Sequence, residues 1–330
     1  MKWRDERYNI TFSARRLLPM TELALPWRRI RPWLLMPALA ALWWSGSLAA
    51  APKVVASVAP VHSLASAVMG DLGEPIQIVR GYGSPHAYQM RPSDAANLHD
   101  ADLVLWIGPS LETFLQRPLS GHTDSSRVVT LSGIPGLALL ANRRGGVRGD
   151  DDHGHDGAGS HDPHIWLSPF NAKVMAGAIA AELSALDPGN AAIYYRNLVS
   201  LNNNIDAMAE RIAARLAPVS DVPFVVFHDA FQYFEESFGL NAVGSVTVSP
   251  DHMPSARRIK ALRDEIADSG ARCVFREPQF ESALVQVLLE DSDARAGVLD
   301  PLGTGVASGP DAYFALMNAN ADALIECLGR

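Results

Sequence analysis

The stretch from Asn190 to Leu216, NAAIYYRNLVSLNNNIDAMAERIAARL, decides the architecture. Ile193, Leu198, Leu201, Ile205, Met208, Ile212 and Leu216 recur at helical spacing, which predicts one amphipathic helix. At 1.5 Å per residue it would reach about 40 Å, enough to run along two lobes rather than cap one. Asp187-Pro188-Gly189 separates it from an earlier helix, so residues 171–217 read as a strand-poor helical pair.

Outward from this pair, short β-rich apolar runs alternate with segments of helical period. Four precede it, at 54–58, 76–79, 103–107 and 128–131, and four follow it, at 224–227, 243–248, 273–276 and 297–299. Such alternation marks α/β layers around mainly parallel sheets. The expected fold is α/β with two lobes, each a mainly parallel four-stranded sheet flanked by helices. The boundaries expected are an N-terminal lobe at 52–168, a helical connector at 169–217 and a C-terminal lobe at 218–330.

The chain has 330 residues and a formal charge of −8. Eight basic and three acidic side chains fall in the first fifty residues, leaving 20 basic and 33 acidic ones, a net −13. So acidic a body has no general electrostatic reason to bind nucleic acid. Arg28-Arg29-Ile30-Arg31, the apolar run 32–44 and the small residues 45–51 are the three parts of a secretory signal peptide. Residues 1–51 are therefore expected to be an export signal, with 1–27 an extended lead. Without a lipobox cysteine near Ala50, a soluble periplasmic protein is expected. Two cysteines, Cys273 and Cys327, are too few for a zinc ribbon and match no C-x-x-C motif. In an oxidising compartment they would pair, and otherwise they are two buried thiols.

Residues 145–163 are Gly, Asp, His and Arg with almost nothing apolar, which predicts a solvated loop. His153, His155 and His161, beside Asp150, Asp151 and Asp152, give it the composition of a weak metal binder. Other histidines share a topological address. His86 follows the run 76–79 across Arg80-Gly81-Tyr82-Gly83-Ser84-Pro85, and His228 ends the run 223–227. Asp300 ends 297–299 in the same manner, and His164 leaves the His-rich loop. Ligands of open α/β sheets bind outside the carboxyl ends of the strands, so these side chains can converge in one crevice. Three imidazoles and a carboxylate make a zinc-type site.

At these residues the chain resembles a known family. Ser84-Pro85-His86-Ala87-Tyr88-Gln89-Met90-Arg91-Pro92-Ser93-Asp94, Ala101-Asp102-Leu103-Val104-Leu105-Trp106-Ile107-Gly108 and His164-Ile165-Trp166-Leu167-Ser168-Pro169 carry the likeness. Val226-Phe227-His228-Asp229-Ala230-Phe231-Gln232-Tyr233-Phe234, Cys273-Val274-Phe275-Arg276-Glu277-Pro278-Gln279-Phe280 and Leu299-Asp300-Pro301-Leu302-Gly303 continue it. The sequence is similar to periplasmic zinc-binding proteins of ABC importers, the zinc-uptake branch of the cluster A-I metal solute-binding family. The resemblance implies two lobes joined by a long rigid helix, with one Zn²⁺ held in the cleft as transported ligand. It implies delivery to a membrane permease of a zinc ABC importer, with a periplasmic zinc chaperone as a further partner and the chain itself a monomer. His86, His164 and His228 fall on the family's three histidine ligands. Asp300 falls on the carboxylate that ligates in manganese-type relatives, a place often filled by water or a mobile acidic residue in zinc-type members. Pro85 stands where some relatives carry a glutamate. Cys273 and Cys327 match the disulfide of zinc-uptake members.

Asp229 and Glu277, beside matched positions, are candidates to orient imidazoles from behind. Three readings compete. Capture of zinc is favoured by imidazole at position 228, where manganese-type relatives commonly place a glutamate. Manganese or iron uptake, or adhesion, belongs to the same family. A secreted zinc hydrolase would need a general base and a substrate pocket beside the metal, and no helix-borne glutamate adjoins a ligand pair.

Overall fold

The structure, a computed structural model, describes residues 51–121, 127–143, 161–247, 254–280, 283–290 and 292–329. The expected export signal thus lies outside the described residues, apart from Ala51, as do His153 and His155.

The first sheet is built by β1 (Val54–Ala56), β2 (Ile76–Gln77), β3 (Leu103–Trp106) and β4 (Arg127–Thr130). Its connections carry α1 (Ala59–Met69), α2 (Pro92–His99) and the single-turn α3 (Gln116–Ser120). All pairings are parallel, in the order β2-β1-β3-β4. Next come α4 (Pro169–Leu186) and α5 (Ala191–Leu216). Ser168 caps α4, its Oγ accepting from the Asn171 N–H with Pro169 in the first turn. The break before α5 is held by the Asp187 carboxylate, which accepts from Asn190 Nδ2 and the Tyr194 hydroxyl.

The second half repeats the plan. β5 (Phe224–His228), β6 (Ala242–Thr247), β7 (Cys273–Arg276) and β8 (Arg295–Val298) pair in parallel in the order β6-β5-β7-β8. Here α6 (Gln232–Phe238), α7 (Ala256–Ser269) and α8 (Ala283–Leu289) make the connections, and α9 (Ala312–Leu328) ends the fold. Gly239 and Gly270, at φ +64° and +66°, stop α6 and α7 in the left-handed conformation that glycine adopts at least cost.

Strand alternation divides the second sheet's side chains. Phe224, Val226, Cys273 and Phe275 join a large core, while Val225, Phe227 and Val274 join a smaller one with Leu262, Ile266, Val285 and Leu288. The large core is continuous from the first sheet through α1, α4, α5 and α9 to the second. The terminal helix α9 belongs to the second half in sequence but packs on α1 as well as α5. Hydrogen bonds from Tyr313 N to Ser63 Oγ, from the Tyr313 hydroxyl to Trp166 O and from Trp166 Nε1 to Pro301 O stitch the halves together. The buried stripe of α5 begins at Tyr194 rather than Ile193, which is half-buried. Tyr194 lies four residues before Leu198 and so continues the three- and four-residue steps of the stripe.

In each order the chain leaves its first strand in both directions, so a switch point lies between β1 and β3 and another between β5 and β7. A buried carboxylate occupies each. Glu112 accepts from Ser57 Oγ, Ile107 N and Gly108 N at the first, where burial pushes it up to about 7 against the donors. Glu277 occupies the second, beside His228.

Candidate metal centre

His228 is the last residue of β5 and is buried. Its Nδ1 donates to Glu277 Oε1 at 2.5 Å, and its backbone N–H donates to the same oxygen. His164 precedes the short 3-10 turn Ile165–Leu167, also buried, and its Nδ1 donates to Asp162 Oδ1 at 2.7 Å. A carboxylate behind each ring fixes the tautomer and turns the Nε2 lone pair inward. The two Nε2 atoms then lie 3.2 Å apart. Two nitrogens bound tetrahedrally at 2.0–2.1 Å from a zinc ion are separated by about 3.3 Å, so the pair is already spaced for one metal.

His86 completes the group from the loop after β2. Its ring centroid lies 5.5 Å from that of His164 and 5.6 Å from that of His228. Gly81, at φ +62°, turns this loop, and the Tyr88 hydroxyl anchors its far side by donating to Ile78 O and Asp94 Oδ2. His86 Nε2 is buried without a hydrogen-bond partner. A buried imidazole nitrogen with nothing to bond is unfavourable unless something else fills its place. One candidate ligand atom from each of the three histidines lies within 4.8 Å of the others, the one such group among the described residues.

The electrostatics suit a cation. Burial, and then His164 and His228, lower the His86 pKa to about 2. Burial and His228 hold His164 well below the usual histidine range. For His228 burial pulls downward, but the charge and hydrogen bond of Glu277, with Asp162 and Asp229, win and raise it. The cavity among the rings is about 10 Å³ and is lined further by Pro85, Gln279, Phe280, Pro301 and Leu302. That is room for an ion, not an organic substrate.

The remaining expected residues fall differently. Glu277 stands behind His228. Asp300 is not in the histidine group and does not line the cavity. Its Oδ1 accepts from Gln279 Nε2 and Leu302 N, and its Oδ2 from Thr304 N. Asp229 pairs with Arg143 at 3.3 Å, and its charge helps to raise His228. His161 is exposed and pairs through its backbone with Ala141. Asp162, which orients His164, escaped the sequence reading. The signal that could have found it is its place two residues before a candidate ligand, but it lay at the end of an acidic run whose members looked alike.

Paired sheets of one topology, a shared helical layer and imidazoles converging from two loops and a strand end define a two-lobed solute-binding protein with a metal-type site. The chain belongs to the family described as Zinc-uptake complex component A periplasmic, whose model matches residues 54–327. The high-affinity zinc uptake system protein ZnuA of Brucella suis biovar 1 (strain 1330) is 42% identical over 84% of this chain and 92% of its own length. The protein of that name from Paracoccus denitrificans (strain Pd 1222) is 36% identical over the same shares. A solved structure described as the crystal structure of ZnuA is similar at a TM-score of 0.71 and 26% identity, over 84% of this chain and 99% of that one.

Proposed function

We propose that this protein captures Zn²⁺ from the periplasm with His86, His164 and His228 and hands it to the membrane permease of a zinc ABC importer. It is a transport component, not an enzyme, as its family membership implies. The observation that carries the reading is the buried convergence of three imidazoles, two of them oriented by carboxylates, around a space of ionic size. With the Asp300 oxygens engaged by their own loop, water is the natural fourth ligand of a tetrahedral ion. An all-imidazole donor set favours zinc over manganese, which prefers oxygen.

Residues 28–51 would direct export, and the mature protein would work as a monomer, receiving zinc directly or from a periplasmic chaperone. The loop 145–163, with His153, His155 and His161, would hold further zinc weakly. Metal analysis of the purified protein after competition between Zn²⁺ and Mn²⁺ tests the reading. One equivalent of zinc is expected, lost in His228→Ala. Retention of manganese in preference to zinc would refute it. Calorimetry after deletion of 145–160, which spares Asp162 behind His164, should show the tight site intact and weaker binding diminished.

A further inference from the structure

The spacing of His164 and His228 is set from outside the ligand group. His164 sits at the end of an arm that leaves the first sheet, and His228 ends a strand of the second, so nothing in local chain geometry fixes the distance between them. The arm is fastened to the second half at two points. The Tyr233 hydroxyl, on α6, accepts from Leu140 N and donates to Asp162 O, both at 3.0 Å. Asp162 N in turn donates to Leu140 O, and Asp162 Oδ1 accepts from both His164 N and His164 Nδ1. Three residues on, Arg143 reaches Asp229 Oδ1 at 3.3 Å and Glu235 Oε2 at 2.6 Å. Asp229 adjoins His228, and Glu235, only 3% exposed, lies on α6 with Tyr233.

We infer that Tyr233 and Arg143 form a clasp that positions His164 against His228, so that metal affinity and release are governed by two residues that never touch the metal. The inference rests on the zinc-capture reading. One end of the clasp grips Asp162, whose carboxylate aims one ring, and the other grips the residue after the second ring. Loosening either end lets the Nε2 atoms drift from a separation that already matches a tetrahedral ion, and the ion is then held by fewer well-aimed lone pairs. The guanidinium fork serves two carboxylates at once, which an ammonium does less well. The tyrosine hydroxyl acts as donor and acceptor together, which phenylalanine cannot replace.

The test uses the purified protein, with zinc competed against a chromophoric chelator, Co²⁺ absorption as a report of ligand geometry, and melting of the metal-free form. Wild type is measured first. If it does not retain zinc, the zinc-capture reading falls and this inference with it. If it does, Tyr233→Phe and Arg143→Gln are expected to weaken zinc binding by about tenfold, the lower end of the penalty for losing an orienting partner behind a ligand, because they act through Asp162 and Asp229. The Co²⁺ spectrum should remain tetrahedral with shifted bands, and Arg143→Lys should recover part of the affinity. Wild-type affinity in both Tyr233→Phe and Arg143→Gln would overturn the inference. So would an affinity loss that simply follows the fall in melting temperature of the metal-free variants, since a purely structural role predicts that.

Discussion

Glu277 and Asp162 accept from the Nδ1 atoms of His228 and His164, which leaves only the Nε2 lone pairs facing the cavity. Replacing Glu277 by Gln keeps an acceptor but removes the charge that steadies the ring. Zinc affinity in Glu277→Gln should fall by about 10- to 100-fold, measured by chelator competition, and unchanged affinity would show that the carboxylate does not tune the ligand. Proton competition belongs to the same scale. His86, lowered to about 2, and His164, well below its usual range, are already neutral at any working pH. His228 is raised, so it is the imidazole that keeps a proton for zinc to displace. Affinity is therefore full above its raised pKa and declines as pH falls through it, by about tenfold per unit for one displaced proton. Calorimetry in buffers of different ionisation enthalpy should count no more than one imidazole proton released per zinc, and a count of three would contradict this electrostatic picture.

Among the elements, β7 links a structural device to a functional one. Its first residue, Cys273, is bonded to Cys327 near the end of α9, and Glu277 follows its last. Arg272 and Arg295 donate to the carbonyls of Leu328 and Cys327, satisfying the helix C-terminus where positive charge is favoured. The disulfide spans 54 positions, so the chain-entropy model assigns it about 4 kcal/mol. The double variant Cys273→Ser, Cys327→Ser should lose stability of that order in denaturant unfolding. Its zinc affinity should hold, because the bridge sits about 13 Å of strand away from Glu277. Loss of zinc binding at preserved stability would mean that β7 transmits strain between its ends.

On the scale of the whole molecule, the large core does not stop between the sheets. It runs through α1, α4, α5 and α9, and α9 returns from the second half to lie against α1. A hinge needs a few linker residues with little packed across it, whereas here several buried helices share the junction. Small-angle scattering of metal-free and zinc-loaded protein should therefore give the same radius of gyration within error. A contraction on zinc binding would show that the shared layer yields.

Much of this protein is local in origin and so was written in the order of its residues. Apolar β-branched runs specify the strands of both sheets. The three- and four-residue steps of Leu198, Leu201, Ile205, Met208, Ile212 and Leu216 specify α5, and the position of His228 at the end of β5 and of His86 in the loop after β2 places them at the ligand-binding rim. Those features need only backbone periodicity and the rule that parallel strands open their crevice at the carboxyl end. What required the tertiary structure are hydrogen bonds between distant positions: Glu277 behind His228, Tyr233 holding Asp162, and Arg143 on Asp229 and Glu235. Asp300, whose residue type suits a ligand, accepts from Leu302 N and Thr304 N and does not line the cavity among the rings. A sequence states which side chains can coordinate a metal. Which of them are left with a lone pair to offer depends on the neighbours the fold brings within 3 Å, and that only the assembled core decides.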